Sequence, residues 1–124
     1  MVDLKRVRAI LFDAVGTLID PTPSAGEVYA VIGRRFGSRR APQEIQSRFR
    51  QALRMSVIHQ RLDEATERER WELIVSQVLD DVDDPCGEMF EQLWRHFAQP
   101  QHWTAYEDVP RAWSAAASHG IVGI

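Results

Sequence analysis

Apolar positions along this 124-residue chain follow two rhythms. Near each end they run almost unbroken, in "VRAILF" (Val7–Phe12) and "IVGI" (Ile121–Ile124). Short runs of this kind, bounded by turn formers, predict strands covered on both faces in a parallel sheet. Gly16 and the pair Pro21/Pro23 mark a loop after the first run. From about residue 24 to 99 the apolar spacing becomes three and four, which predicts four amphipathic helices joined by short loops.

The helix boundaries carry their own signals. Ser24-Ala25-Gly26-Glu27 has capping-box spacing and opens a helix with Val28, Val31, Ile32 and Phe36 on one face, stopping at Gly37. A second helix is expected from Pro42, with Ile45, Phe49, Leu53 and Val57 as its stripe. Thr66-Glu67-Arg68-Glu69 is another capping box, ahead of Trp71, Ile74, Val75, Val78 and Leu79. Asp84-Pro85 reads as an N-cap with proline in the first turn, followed by Met89, Phe90, Leu93, Trp94 and Phe97. A loop, "AQPQHWTAYED", leads to a short helix near Val109–His119 that ends at Gly120.

The pattern therefore predicts an α/β chain in three stretches: a first strand and loop (1–22), a helical insertion (23–100), and a return to the sheet (101–124). Two strands alone do not make a stable sheet. Pairing Val7–Phe12 with Ile121–Ile124 would leave both outer edges open and apolar. The expectation is the front part of a larger α/β protein.

Composition narrows the class. With 44% hydrophobic and 27% charged residues the chain reads as globular, and its net charge of −3 gives no reason to expect nucleic acid or an anionic membrane surface as partner. Cys86 is the only cysteine, so neither an intrachain disulfide nor a cysteine metal motif is expected. The first residues hold too short an apolar stretch for a signal peptide, and no run reaches membrane-spanning length, so a cytoplasmic location is the expectation.

The chemistry concentrates where the first apolar run ends. Asp13 follows Phe12 directly, and ligands of open parallel sheets bind outside the carboxyl ends of the strands. A carboxylate there can attack phosphorus or carbon, or bind Mg²⁺ through oxygen, or simply cap a turn. The N–H groups of Ala14, Val15 and Gly16 would suit an anionic phosphate.

"FDAVGTLI" resembles the first motif of the haloacid dehalogenase-like hydrolases: an apolar strand, Asp, two variable residues, Gly, Thr and an apolar residue. It is similar in particular to a subgroup that writes D-A-V-G-T-L here and continues with a Pro/Ser/Gly-Glu-x-Tyr segment, as in "PTPSAGEVYAVIGRRFG". "YEDVPRAWSAAASHGIVGI" resembles the helix and strand leading to the family's second motif. The resemblance implies a Rossmann-like core, incomplete in this chain, with a four-helix cap inserted after the first strand. It implies Asp13 as nucleophile and Mg²⁺ ligand, a metal contact from the Val15 carbonyl, a loop-holding role for Thr17, and a small phosphorylated metabolite as substrate.

Val15 departs from the family pattern, whose phosphatases carry a second Asp at that place as acid/base. General acid catalysis contributes about 10²–10⁴-fold, so phosphomonoester turnover should be weak. Dehalogenase-type members place Tyr there, and phosphonate-cleaving members Ala together with a cap lysine. Lys5, the only lysine, lies outside the cap and closes the second route. For a halide, Arg34, Arg35, Arg39 and Arg40 are candidate cations, although such clusters usually form a solvated helix end. The family's later motifs would fall beyond Ile124, so the chain by itself is expected to be nearly inactive.

The remaining candidates read as structural. The acids of "LDDVDDPCGE" lack Ca²⁺-loop spacing and suit helix-end solvation and capping. His59, His96, His102 and His119 form no metal pair; Trp71, Trp94 and Trp113 fall on core stripes; Trp103, in a loop, could face substrate. Cys86 after Pro85 at a helix start could have a lowered pKa, but no partner completes a nucleophile. Hydrolytic dehalogenation is the alternative chemistry. A non-catalytic interaction protein is the alternative class, and self-association through the cap or an open sheet edge is a partner the pattern allows.

Overall fold

The two apolar runs that begin and end the chain pair with each other. In the computed structural model, which describes residues 3–56 and 61–124, β1 (Ala9–Leu11) and β4 (Ile121–Gly123) lie parallel, with Ala9 opposite Ile121 and Leu11 opposite Gly123. The pairing continues one residue past each end of β1: Ile121 N–H donates to Arg8 C=O (3.1 Å) and Phe12 N–H to Gly123 C=O (2.9 Å). A second ribbon pairs β2 (Ile19–Pro21) antiparallel to β3 (Trp103–Ala105), with Pro21 opposite Trp103. Together with the helices α1 (Ala25–Arg35), α2 (Pro42–Met55), α3 (Glu64–Val78), α4 (Glu88–Phe97) and α5 (Val109–Ala117), this is a mixed α/β chain. It divides into two compact units, Met1–Thr22 with Gln101–Ile124, and Pro23–Pro100. No helix among the described residues is long and apolar enough to cross a membrane.

In the unit that holds both chain ends, α5 packs beside β4, and Phe12 stacks on Trp113 (ring centroids 5.8 Å apart, planes 26° from parallel). The opposite sheet face is open: Leu11 is 76% and Ile121 72% exposed. This corrects the expectation of strands covered on both faces, because one helix supplies only one cover. The predicted loops around Pro21 and Trp103 are also corrected, since both form strands. Each has three residues, too few for an alternating pattern to show.

The helical unit is built around Ile45, Ile74, Val78, Leu79, Met89, Phe90 and Leu93, all nearly inaccessible to solvent. Ser24 caps α1 as its spacing predicts: the Glu27 N–H donates to Ser24 Oγ, and the Glu27 carboxylate accepts the Ser24 N–H (3.0 Å). Phe36 and Gly37, the latter at φ +99°, end the helix. The buried face of α1 is Val28, Tyr29 and Ile32, while Val31 is 58% exposed, so the expected stripe is rotated toward Tyr29. That ring meets Phe49 edge-on at 5.5 Å and Phe97 at 6.0 Å. Gly26 lets α1 and α2 approach closely: its N–H donates to Gln46 Oε1 (2.8 Å), and a Cβ there would lie 3.0 Å from the Pro42 carbonyl. α2 begins at Pro42 as predicted and buries Ile45 and Ala52. Leu53 is 38% exposed, and Val57 lies outside the described residues.

Two other helix starts differ from expectation. α3 is capped three residues earlier, by Asp63: its carboxylate accepts the Thr66 N–H (2.9 Å), and Thr66 Oγ1 accepts the Asp63 N–H (3.3 Å). Thr66 thus closes the box instead of opening one, because Asp63 already satisfies the free amides of the first turn. α4 starts at Glu88, since Asp84–Gly87 forms a turn (Gly87 N–H to Asp84 C=O, 3.4 Å) tight enough that a Cβ at Gly87 would strike the Asp84 carboxylate.

The acids after α3 are not simply solvated. Asp80 pairs with Arg40 and with Arg48 (2.8 Å), while Asp81 accepts from Ser38 Oγ (3.0 Å) and Arg39 N–H (2.9 Å). They fasten the α1–α2 connection to the end of α3.

This packing and capping can be tested in the helical unit. Phe90→Ala should cost about 3–5 kcal/mol in chemical denaturation, whereas Leu73→Ala, at a 62% exposed position, should stay within about 0.5 kcal/mol. The Thr66 amide and hydroxyl hold the Asp63 carboxyl below its ordinary pKa, and Arg40, with Arg48, does the same for Asp80. Both carboxylates favour the folded state above the ordinary carboxyl range, and this is lost as pH falls through their lowered values. Thermal melting of the helical signal should therefore move down between about pH 5 and 2; a flat profile would contradict the caps and the Arg40–Asp80 clamp.

Candidate functional site

Asp13 stands where β1 stops, directly after the last bonded residue, Phe12, and its side chain is exposed. The chain then folds into a compact turn built on one acceptor. The Ala14 carbonyl accepts from the N–H groups of Thr17 (3.2 Å), Leu18 (2.8 Å) and Ile19 (3.2 Å). Gly16 makes the reversal possible with φ at +82°, a region that L side chains rarely adopt. The turn brings Thr17 back so that its Oγ1 donates to Asp13 Oδ2 at 3.1 Å. Leu18, 6% exposed, is the buried side chain of the loop.

Of the three amides expected to suit an anion, one is spent: Gly16 N–H donates to Ile19 C=O at 2.9 Å. The N–H groups of Ala14 and Val15 have no hydrogen-bond partner among the described residues. The Val15 side chain is 56% exposed and carries no proton to give.

The far limb of the loop is held by a residue that sequence reasoning did not single out. Tyr106 N–H donates to Leu18 C=O (3.1 Å), and its hydroxyl donates to the Asp20 carboxylate. Asp20 and Tyr106 lie 86 positions apart, and only the β2–β3 register brings them together. That ribbon is extended by Thr22 N–H on His102 C=O at 2.8 Å. Trp103 lies on β3, half-buried, not in a loop.

A hard divalent cation such as Mg²⁺ takes oxygen ligands from one or two carboxylates and completes its shell with water and substrate. Asp13 and the Val15 carbonyl match that chemistry, although no three His, Cys, Asp or Glu side chains converge among the described residues.

Elsewhere, Arg40 is occupied by Glu44, Asp80 and Asp81, which removes it from the candidate halide cations; Arg34, Arg35 and Arg39 are exposed. Cys86 lies in the turn before α4, not at a helix start. Burial, with Glu72 and Asp84 nearby, pushes its thiol pKa up, opposite to the activation considered. His96 meets Phe97 edge-on at 5.0 Å, His119 is exposed after α5, and His59 lies outside the described residues. A depression of about 410 Å³ between α2 and α3 is lined by Arg48, Gln51, Met55, Gln77 and Asp80, its charges already paired with each other.

Comparison with models of known protein families gives no match, and comparison with curated proteins gives none.

The chain's two phenols should both ionise above the ordinary value near 10: Tyr29 because it is buried, Tyr106 first because it donates to Asp20. Raised values mean that the neutral phenols favour the folded state below the ordinary pKa, and that this is lost as pH rises through the raised ones. An ultraviolet titration should show little ionisation at about pH 10. Asp20→Asn should return one phenol toward the ordinary range; an unchanged titration would remove the Asp20–Tyr106 bond.

Proposed function

We propose that the chain carries the nucleophile loop of a haloacid dehalogenase-like hydrolase, with a Rossmann-like core around β1 and β4 and α1–α4 as its cap. The proposed reaction is Mg²⁺-dependent hydrolysis of a small phosphorylated metabolite. One juxtaposition supports it most: a carboxylate at the exit of a parallel strand, oriented by the Thr17 hydroxyl, beside the unspent amides of Ala14 and Val15. The likeness of "FDAVGTLI" to the family's first motif adds to it.

Thr17 donates one hydrogen bond to Oδ2, which keeps a lone pair for a metal ion, and Oδ1 is the oxygen left to attack phosphorus. The Oδ1–P bond forms, the bond to the leaving oxygen breaks, and water then releases phosphate and regenerates the carboxylate. The Ala14 and Val15 amides suit the phosphoryl oxygens. Mg²⁺, held by Asp13 and the Val15 carbonyl, would supply neutralisation of phosphate charge. Because Val15 has no proton, the leaving oxygen must take one from solvent, which favours substrates whose leaving group needs none.

Carbon–halogen hydrolysis through the same carboxylate keeps the attack and changes the leaving group, with fewer free arginines to meet the halide. A non-catalytic interaction role draws support from one observation, the open apolar face with Leu11 and Ile121.

Fluoroberyllate, a phosphoryl mimic, tests the nucleophile. Fluorine NMR should show a bound resonance that requires Mg²⁺ and disappears in Asp13→Asn; the same resonance in that variant would exclude Asp13. Val15→Asp should raise hydrolysis of an alkyl phosphate by about 10²–10⁴-fold and that of an aryl phosphate much less. An equal gain on both would show that the missing acid is not what limits turnover.

A further inference from the structure

We infer that Tyr106 is a positioning residue for the Asp13 loop, gripping its far limb through both its amide and its hydroxyl. The inference rests on the reading of Asp13 as nucleophile.

Asp13 owes its orientation to Thr17, and Thr17 owes its place to the turn on Ala14 C=O. That turn has two limbs. The near limb is fixed by the β1–β4 ladder, through Phe12 N–H on Gly123 C=O. The far limb, Leu18–Asp20, is held from β3's side by Tyr106 at two points, Leu18 C=O and the Asp20 carboxylate. Asp20 opposes Thr104 in the ribbon, so Tyr106 sits just past the last paired residue, Ala105, and extends the ladder by one backbone bond and one side-chain bond.

Packing does not explain the tyrosine. It is 38% exposed and outside the buried core, where phenylalanine would bury as much. The hydroxyl is what distinguishes it, and it is spent on the one acid in the far limb. A hydrogen bond to an ionised acceptor is among the stronger kinds available to a loop. With the far limb loose, Thr17 would lose its fixed distance to Asp13, and Oδ1 its fixed aim.

Tyr106→Phe keeps the ring and the amide and removes only the hydroxyl. Amide hydrogen exchange at Leu18 and Ile19 should quicken by up to about tenfold, while Ile121, bonded to Arg8 C=O, stays unchanged. Asp20→Ala should reproduce that pattern, and Asp20→Asn, which keeps an acceptor, should recover most of the protection. Mg²⁺-dependent fluoroberyllate affinity should fall by about fivefold in Tyr106→Phe and in Thr17→Val, and no further when the two are combined, because both act through one contact to Asp13. Additive losses, or exchange at Leu18 and Ile19 equal to wild type in Tyr106→Phe, would overturn the positioning role. Fluoroberyllate bound as tightly by Asp13→Asn as by wild type would overturn the nucleophile reading instead, and the exchange data would still judge the grip of Tyr106 on the loop.

Discussion

Backbone hydrogen bonds between the two ends of the chain fix the position of the site. The ladder from Ala9–Ile121 to Leu11–Gly123 makes β1 a strand and sets where it stops, and with it the point at which Asp13 leaves the sheet. A strand of three residues has little independent stability. Its register is reinforced at both ends, by Ile121 on Arg8 and Phe12 on Gly123, and on one face by the stacking of Phe12 with Trp113.

From that fixed point the loop economises on groups. One carbonyl, Ala14, takes three amides, and one glycine, Gly16, supplies the left-handed conformation that lets the chain turn back. One hydroxyl, Thr17, takes one oxygen of the carboxylate. The result is a carboxylate with one oxygen engaged and one presented, beside two amides. The same turn removes the Gly16 amide from any anion site, a restriction that comes from the turn's own bonding. Two residues after Asp13, the exposed Val15 side chain offers no acidic proton, so the proposed reaction has an attacking group in this loop and no proton donor at that place.

Much of this was legible in the sequence because the signals are local. The Ser24–Glu27 cap, the start at Pro42, the apolar faces of α3 and α4 and the apolar run ending at Asp13 depend on residues within one or two turns of each other. What was not legible depends on distance or competition. The β2–β3 ribbon joins segments more than 80 residues apart and shows no alternation. Asp20 and Tyr106 are ordinary loop residues until the register places them together. Asp63 outcompetes Thr66 as the α3 cap because it stands earlier and satisfies the first-turn amides before Thr66 can. The open face of β1 and β4 reflects how many layers pack on the sheet, which a run such as "AILF" does not encode.

Pairing between the chain's two ends is thus what aims Asp13 outward from the end of a parallel strand. A scalar coupling measured by NMR across the hydrogen bond from the Phe12 amide nitrogen to the Gly123 carbonyl carbon reads that pairing without an intermediary. The coupling should be measurable and the Phe12 amide slow to exchange. No coupling, with a Phe12 amide exchanging at the rate of an unstructured chain, would mean that β1 does not end where Asp13 begins.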